Sequence, residues 1–156
     1  MTPPERGMRQ LRKGRFSQQG SFYFVTACCA AKQPVFAQAS AAQAVLECLD
    51  WLERRGRMAV WFCIVMPDHV HIGFELTGDR TLAAVMKSFK QYTSRRIRRE
   101  MPSAGPTWQQ QYYDHMVRRD ESLRGIARYC RYNPVRAGLV KDPASYPYWR
   151  CRFELE

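Results

Sequence analysis

The sequence predicts an α+β fold in which one antiparallel sheet carries helices. Two kinds of pattern alternate along the chain: runs of aromatic and β-branched residues, and apolar residues that recur three and four positions apart. They occur in the order strand, helix, strand, strand, helix, strand, with one more helix behind them. This is the order of a ferredoxin-like β-α-β-β-α-β sheet with an added C-terminal helix, and that helix carries a tyrosine.

Length and composition indicate one globular domain with an anionic partner. The 156 residues fit a single domain, 1–156, with a basic N-terminal arm at 1–19 and a C-terminal segment at 141–156. The balance of 25 Lys+Arg against 14 Asp+Glu gives a net charge of +11, which is typical of nucleic-acid binding. The sequence contains no run of eighteen apolar residues, so no membrane-spanning helix is predicted. The six cysteines contain no C-x-x-C pair, which argues against a zinc knuckle. We expect them to be small buried residues with reduced thiols in a cytoplasmic protein.

The first half of the chain predicts a strand and a helix. Phe22–Cys28 is rich in aromatic and β-branched residues, as strands are. Ser40 is a good N-cap for a helix over 41–55, and Gly56 is a good residue to end it. A strand over 58–65 follows.

Pro67 and Asp68 form a tight turn after that strand, so the next strand, His69–Leu76, should pair with it as an antiparallel hairpin. Side chains alternate along a strand, so His69 and His71 should leave the same face. Val70, Ile72 and Phe74 would then face the core. Two converging imidazoles are candidate ligands of a metal site, although a structural histidine pair would have the same spacing.

A second helix is predicted after Thr81, its N-cap. Its apolar stripe comprises Leu82, Val85, Met86, Phe89 and Ile97. The other side is basic, and Lys87, Lys90 and Arg95 are its candidate DNA-binding residues. The N-terminal arm offers Arg12, Lys13 and Arg15 for the same purpose. The basic residues of the helix and of the arm could equally be charged surface residues that only contact solvent.

The last third predicts a strand over 108–117 and a helix over 121–132, capped by Asp120 and stopped by Pro134. The apolar stripe of that helix comprises Leu123, Ile126, Ala127 and Cys130. The C-terminal aromatic residues Tyr146, Tyr148 and Trp149 should fold back onto the body.

Tyr129 and Asn133 are the candidate functional pair of this last helix. They lie four residues apart, so they share a helix face and can present a nucleophile and a metal ligand together. A core tyrosine and a pre-proline turn residue are the structural alternatives. Tyr92 is the main rival nucleophile but has no Asn four residues on, and Tyr113 and Tyr132 are weaker rivals. His115 could be a general base or the partner of Asp114.

Several motifs resemble those of one family, the REP-associated tyrosine transposases, which are single-tyrosine relatives of the HUH nucleases. The matching segments are His69-Val70-His71 after Met66-Pro67-Asp68, Trp108-Gln109, Tyr112-Tyr113-Asp114-His115 and Tyr129-Cys130-Arg131-Tyr132-Asn133-Pro134-Val135. The resemblance implies that Tyr129 is the nucleophile. It also implies that His69, His71 and Asn133 bind Mg²⁺ or Mn²⁺, and that the substrate is hairpin or other single-stranded DNA.

The resemblance thus predicts an enzyme that cuts and rejoins single-stranded DNA at REP-like hairpins through a 5′-phosphotyrosine. It would act in the bacterial cytoplasm, at the nucleoid. Two other classes remain open from the residues themselves. One is a nucleic-acid-binding module without catalysis, in which the histidines are structural. The other is a metal-dependent phosphodiesterase with no covalent step.

Overall fold

The computed structural model describes residues 19–102, 105–118 and 121–155. Its centre is an antiparallel five-stranded sheet with the strand order β4-β1-β3-β2-β5. The strands are β1 (Phe22–Cys28), β2 (Met58–Met66), β3 (His69–Leu76), β4 (Tyr113–Met116) and β5 (Trp149–Cys151). The helices are α1 (Ala39–Arg54), α2 (Leu82–Glu100), α3 (Leu123–Arg131) and the single turn α4 (Asn133–Arg136). The predicted α+β class and antiparallel sheet are confirmed.

Helices cover the two faces of the sheet unequally. α1 and α2 pack on one face, which we call the helical face, and their stripes join Val25, Val70 and Ile72 in the larger apolar core. α3 packs on the other, the site face, where Ala127 and Cys130 meet a smaller apolar cluster. The strand members of that cluster are Phe24, Phe62, Ile64 and Met66. The predicted stripes of the second and third helices are therefore confirmed.

A β-bulge in β2 changes which face its side chains serve. Val60 pairs with Phe74 but Phe62 pairs with Gly73, so Trp61 is an extra residue in β2. Val60 consequently packs in the core of the helical face, whereas Phe62 packs on the site face. Gly73 is required opposite the bulge, because a Cβ there would overlap the Phe62 ring.

Two predicted helix starts are wrong by a few residues. α1 begins at Ala39, before Ser40, and its N-cap is Gln38 without a side-chain cap bond. The Gln38 carbonyl accepts from the amides of both Ala41 and Ala42, so the preceding turn leads directly into the helix. α3 begins at Leu123 with Ser122 as its N-cap, and the Ser122 hydroxyl accepts from the Gly125 amide. The predicted cap, Asp120, lies outside the described residues.

The predicted fourth strand over 108–117 is also too long. Only Tyr113–Met116 is a strand, while Trp108 makes an isolated bridge to Cys29. Between the bridge and the strand, the carbonyls of Gln109 and Gln110 accept from the Lys90 ammonium of α2, at 2.7 and 3.2 Å, and not from a ladder partner. The C-terminal aromatic residues do fold back: Tyr146 donates to the Val65 carbonyl, and β5 pairs with β2.

All six cysteines are free thiols, and five of them are buried. Over 19–102, 105–118 and 121–155, no helix is long and apolar enough to cross a membrane.

Candidate active site

His69 is held in one tautomer by the turn that precedes its strand. Its Nδ1 lies 2.7 Å from the Asp68 carboxylate, which can only accept a hydrogen bond, so Nδ1 carries the proton and donates it. Its Nε2 is therefore the unprotonated ring nitrogen and carries the lone pair. Burial lowers the pKa of His69, with Asp68 acting in the opposite direction. A neutral imidazole with a fixed lone pair is the form that binds a metal.

His71 lies beside His69 on the site face, with ring centroids 4.7 Å apart. Its Nδ1 is 2.8 Å from the Thr26 hydroxyl, and its ring stacks on Phe24 at 5.4 Å. It is almost fully buried, at 1% exposure, and this burial lowers its pKa well below the ordinary value. Both histidines of the H-x-H segment are therefore uncharged, and each is oriented by a polar side chain: His69 by the part-exposed Asp68 and His71 by the buried Thr26.

Asn133 reaches this pair from the end of α3. The helix ends at Arg131 with Tyr132 as its C-cap, and Asn133 and Pro134 begin the single turn α4. Pro134 has no N–H, so it fits the start of a helical turn but not the interior of a helix. The break directs the buried Asn133 side chain at the sheet, where its amide donates to His69 Nε2 at 3.3 Å. Residues 64 positions apart thus meet on the site face.

Tyr129 lies one turn before Asn133 on α3. It is 45% exposed, and the Arg136 guanidinium lies over its ring, 3.8 Å from the ring centroid. Arg136 also donates to the Tyr129 carbonyl at 2.6 Å, a group that the helix end leaves without a regular partner. Arg136 therefore fixes the ring and places a positive charge beside the accessible phenol.

The residues fit a divalent cation with open coordination positions. His69 Nε2 and the Asn133 amide are within 3.3 Å of each other, and His71 is adjacent. The oxygen of the same amide is the atom that can bind a cation. In the described part of the chain, no group of three or more His, Cys, Asp or Glu side chains is placed to hold a metal. A cation bound here would have two imidazoles and one amide oxygen as its protein ligands, a donor set that suits Mn²⁺ better than Mg²⁺.

The rival tyrosines are placed differently. Tyr92 lies on α2 and stacks on Trp51 at 5.3 Å, packed against the core of the helical face, so the sheet separates it from the histidines. Tyr113 packs against the site-face cluster, and Tyr132 is 46% exposed at the end of α3. Position alone therefore rejects Tyr92 as a partner of the histidine pair but leaves the other two available.

His115 has a different partner from the one predicted. Its Nε2 lies 2.9 and 2.8 Å from the two carboxylate oxygens of Glu121, not beside Asp114. Successive strand residues leave opposite faces, which separates His115 from Asp114. The backbone amide of Arg118 and then His115 hold the pKa of Glu121 below its usual value, so Glu121 is ionised.

The predicted DNA-binding residues do not gather at the histidines. Lys87 and Arg95 are exposed on α2, which covers the helical face. Lys90 is tied to the carbonyls of Gln109 and Gln110, so its ammonium serves the fold. Arg12, Lys13 and Arg15 lie outside the described residues.

Sequence reasoning missed four residues that support the site: Thr26, Asp68, Glu121 and Arg136. Asp68 had a usable signal, because it directly precedes the first histidine. Arg136 had a weaker one, since it follows Tyr129 by about two helical turns. Thr26 and Glu121 had none, because their contacts depend on strand register and on the path of the chain into α3.

Comparison with known proteins gives matches to transposases. The family model described as IS200-like transposase matches residues 17–133, more than half of the chain. A Haemophilus influenzae protein that carries the name REP-associated tyrosine transposase is 27% identical over 94 residues. That match covers 54% of this chain and 53% of the relative, so the chain spans about half the length of the curated relative that it matches.

Solved structures share the fold. A REP-associated tyrosine transposase bound to a REP hairpin matches with a TM-score of 0.71 at 18% identity, over 96% of this chain and 82% of that chain. A Deinococcus radiodurans protein described as a transposase gives 0.56 at 20% identity, over 78% of this chain and 94% of that chain. With a family match that includes both histidines, Tyr129 and Asn133, the chain belongs to the IS200-like transposase family.

Proposed function

We propose that this protein cuts and rejoins single-stranded DNA beside a hairpin, through a covalent bond between Tyr129 and a 5′-phosphate. The observation that carries the proposal is the 3.3 Å contact between the Asn133 amide and His69 Nε2, made one helical turn from an accessible tyrosine. A purely structural histidine pair does not require an oriented Nε2 lone pair near a tyrosine that an arginine holds in place.

The proposed step transfers a phosphoryl group without hydrolysis. Tyr129 Oη forms a bond to phosphorus while the bond from phosphorus to the 3′-oxygen breaks. The phenolic proton is lost to solvent and the departing 3′-oxygen takes one up, which leaves a 5′-phosphotyrosine and a 3′-hydroxyl. One phosphodiester replaces another, so a second 3′-hydroxyl can reverse the step and join a new strand.

Arg136 and the polar residues of the site prepare this step. The guanidinium over the Tyr129 ring attracts the phosphate that approaches the phenol and holds the ring in place. Asp68 and Thr26 orient the two imidazoles. A divalent cation held by His69, His71 and Asn133, Mn²⁺ or Mg²⁺, would withdraw charge from a phosphate oxygen and so stabilise the crowded transition state.

The proposed substrate is REP-like hairpin DNA with single-stranded flanks. It is supported by a similar fold in a transposase described as bound to a REP hairpin, and by the net charge of +11. Lys87 and Arg95 on α2 would contact backbone phosphates on the helical face while the cut strand lies on the site face. One DNA molecule would then contact both sides of the sheet.

The decisive experiment is trapping of the covalent adduct. The protein is incubated with Mn²⁺ and a hairpin oligonucleotide labelled on either side of the hairpin, and adducts are separated on a denaturing gel. We expect an adduct with the wild type and none with Tyr129→Phe. Tyr132→Phe is the matched control, because Tyr132 is equally exposed, three residues away, and should not matter.

Two outcomes contradict the assignment of the nucleophile. One is an adduct that persists in Tyr129→Phe and disappears in Tyr113→Phe, since Tyr113 also packs on the site face. The other is cleavage with a divalent metal but without any adduct, which would indicate a phosphodiesterase.

A binding module without catalysis is the second candidate function. It is favoured by the exposed basic side of α2, which lies across the sheet from the histidines. This alternative predicts hairpin binding that EDTA does not change and no strand cleavage with Mn²⁺ or Mg²⁺. Cleavage that EDTA abolishes would reject it.

A further inference from the structure

A groove runs along α3 away from Tyr129 and is not used by the chemistry described above. It has a volume of about 340 Å³ and is lined by Phe24, Glu121, Ser122, Gly125, Ile126 and Tyr129. This volume is at the low end of small-molecule sites, which start at roughly 300 Å³. Glu121 lies just before α3, and the helix rises about 9 Å from Leu123 to Tyr129 at 1.5 Å per residue. The groove therefore has a polar end, an apolar middle and the candidate nucleophile at its other end.

The groove is continuous with the candidate active site. Phe24 forms part of its wall and stacks on His71 at 5.4 Å, and Tyr129 lines it directly. A nucleotide whose phosphate is bonded to Tyr129 must place its base within one nucleotide length of that ring. The apolar middle, with the buried Phe24 at its floor and the part-exposed Ile126 on its wall, is a suitable surface for a flat aromatic base.

Gly125 keeps the middle of the groove open. It lies inside α3, where glycine costs about 0.5–1 kcal/mol relative to alanine. The backbone does not require it, because its φ is not positive, and a Cβ would contact only the Ser122 side chain, at 3.2 and 3.3 Å. Any longer side chain at this position would occupy the groove.

Glu121 gives the far end a defined hydrogen-bonding character. His115 and the Arg118 amide hold its carboxylate in place. A carboxylate accepts hydrogen bonds and donates none, and its two oxygens offer more acceptor positions than these contacts use. Cytosine, adenine and guanine carry an exocyclic amino group that can donate to it, whereas the ring N3–H, the one donor of an unpaired thymine base, is flanked by two carbonyl oxygens that a carboxylate repels.

We propose that this groove binds the base of the nucleotide that becomes attached to Tyr129, and that Glu121 selects an amino-bearing base over thymine. The inference rests on the proposed function for its substrate. It adds the residues that choose where the strand is cut: Phe24, Gly125 and Ile126 by shape, and Glu121 by hydrogen bonding.

The first test measures adduct formation on an oligonucleotide that the wild type cuts, with each of the four bases or an abasic residue at the two positions beside the cut. We expect the abasic residue on the 3′ side of the cut to slow the wild type about tenfold, as the loss of one stacked base would. Thymine there should be slower than adenine, cytosine or guanine. Gly125→Leu should slow every base to the abasic rate, and Gly125→Ala, which adds one methyl group, should not.

Glu121→Gln isolates the hydrogen-bonding part. A side-chain amide both donates and accepts, so this variant should cut the thymine substrate nearly as well as the others. Base preference that is unchanged in Glu121→Gln would reject the role of Glu121. If neither the abasic residue nor Gly125→Leu changes the rate of adduct formation, the whole inference is overturned.

The second test does not depend on cleavage. A 2-aminopurine is moved through the single-stranded flank of the same hairpin, and its fluorescence is measured with protein in EDTA. We expect quenching at one position with the wild type and Gly125→Ala, and none with Gly125→Leu at equal DNA affinity. If no DNA forms an adduct, the proposed function fails, while this measurement still supports or rejects the groove. Equal quenching by Gly125→Leu would reject it.

Discussion

The two faces of the sheet differ in what their residues do. On the helical face, α1 and α2 bury a continuous apolar core that includes Leu49, Phe89 and Ile97. On the site face, a smaller apolar cluster lies next to His71 and Thr26, and α3 covers it only in part. A single layer of backbone separates the larger core from the polar side chains of the candidate site. The helical face can hold the sheet rigid, while on the site face the histidines and Asn133 are largely buried and Tyr129 stays accessible.

The largest expected effect is on the stability of the helical face. Phe89→Ala should lower the free energy of unfolding by about 3–5 kcal/mol, because the side chain is fully buried between α2 and the sheet. Leu123→Ala on α3 should cost clearly less, since Leu123 is only half-buried. Urea unfolding followed by circular dichroism measures both. Equal losses would show that the site face is as tightly packed as the helical face.

The next effect concerns metal binding on the site face. Asp68→Asn replaces the carboxylate that orients His69, so Mn²⁺ affinity should fall about 10- to 100-fold with little change in unfolding. Isothermal titration with Mn²⁺ measures the affinity. Asp50→Asn is the control, because it removes an ion pair with Arg150 away from the histidines. A normal affinity in Asp68→Asn would mean that the carboxylate does not act on the metal site.

A smaller effect is the pH dependence of stability without metal. Burial lowers the pKa of His71 in the folded protein, whereas the unfolded chain takes up a proton near pH 6.5. The stability from the neutral ring is therefore complete above about pH 6.5 and is lost as the pH falls toward the folded value. The slope for one group is at most about 1.4 kcal/mol per pH unit.

Urea midpoints between pH 8 and 5.5, in EDTA, test this prediction. The decline below pH 6.5 should be shallower in His71→Gln than in the wild type. Identical declines would assign the pH dependence to other groups.

The smallest effect is on DNA binding by the helical face. Lys87→Ala should reduce the slope of log affinity against log salt by about 0.7–0.9, the value for one lost phosphate contact, with the adduct rate at saturating DNA unchanged. Lys141→Ala removes the same charge outside α2 and should change the slope less. Fluorescence anisotropy at several salt concentrations measures both. A Lys87→Ala slope no smaller than that of Lys141→Ala would mean that Lys87 on α2 does not contact the DNA backbone.

Local patterns in the sequence determined most of the fold. Alternation in Phe22–Cys28 and His69–Leu76 defined two central strands, and Thr81 with its following apolar stripe defined α2. These signals survive because side-chain period and capping depend on residues only a few positions apart. The same local reasoning brought the two histidines to one face and set Tyr129 and Asn133 one helical turn apart.

The tertiary structure alone decided how these pieces meet. The bulge at Trp61 moves Phe62 to the site face, and the break before Pro134 turns Asn133 toward His69. Thr26, His115 and Glu121 acquire their partners only through strand register and the path of the chain into α3. Contacts of this kind join residues distant in sequence and depend on the packing of several elements together, so no local period encodes them.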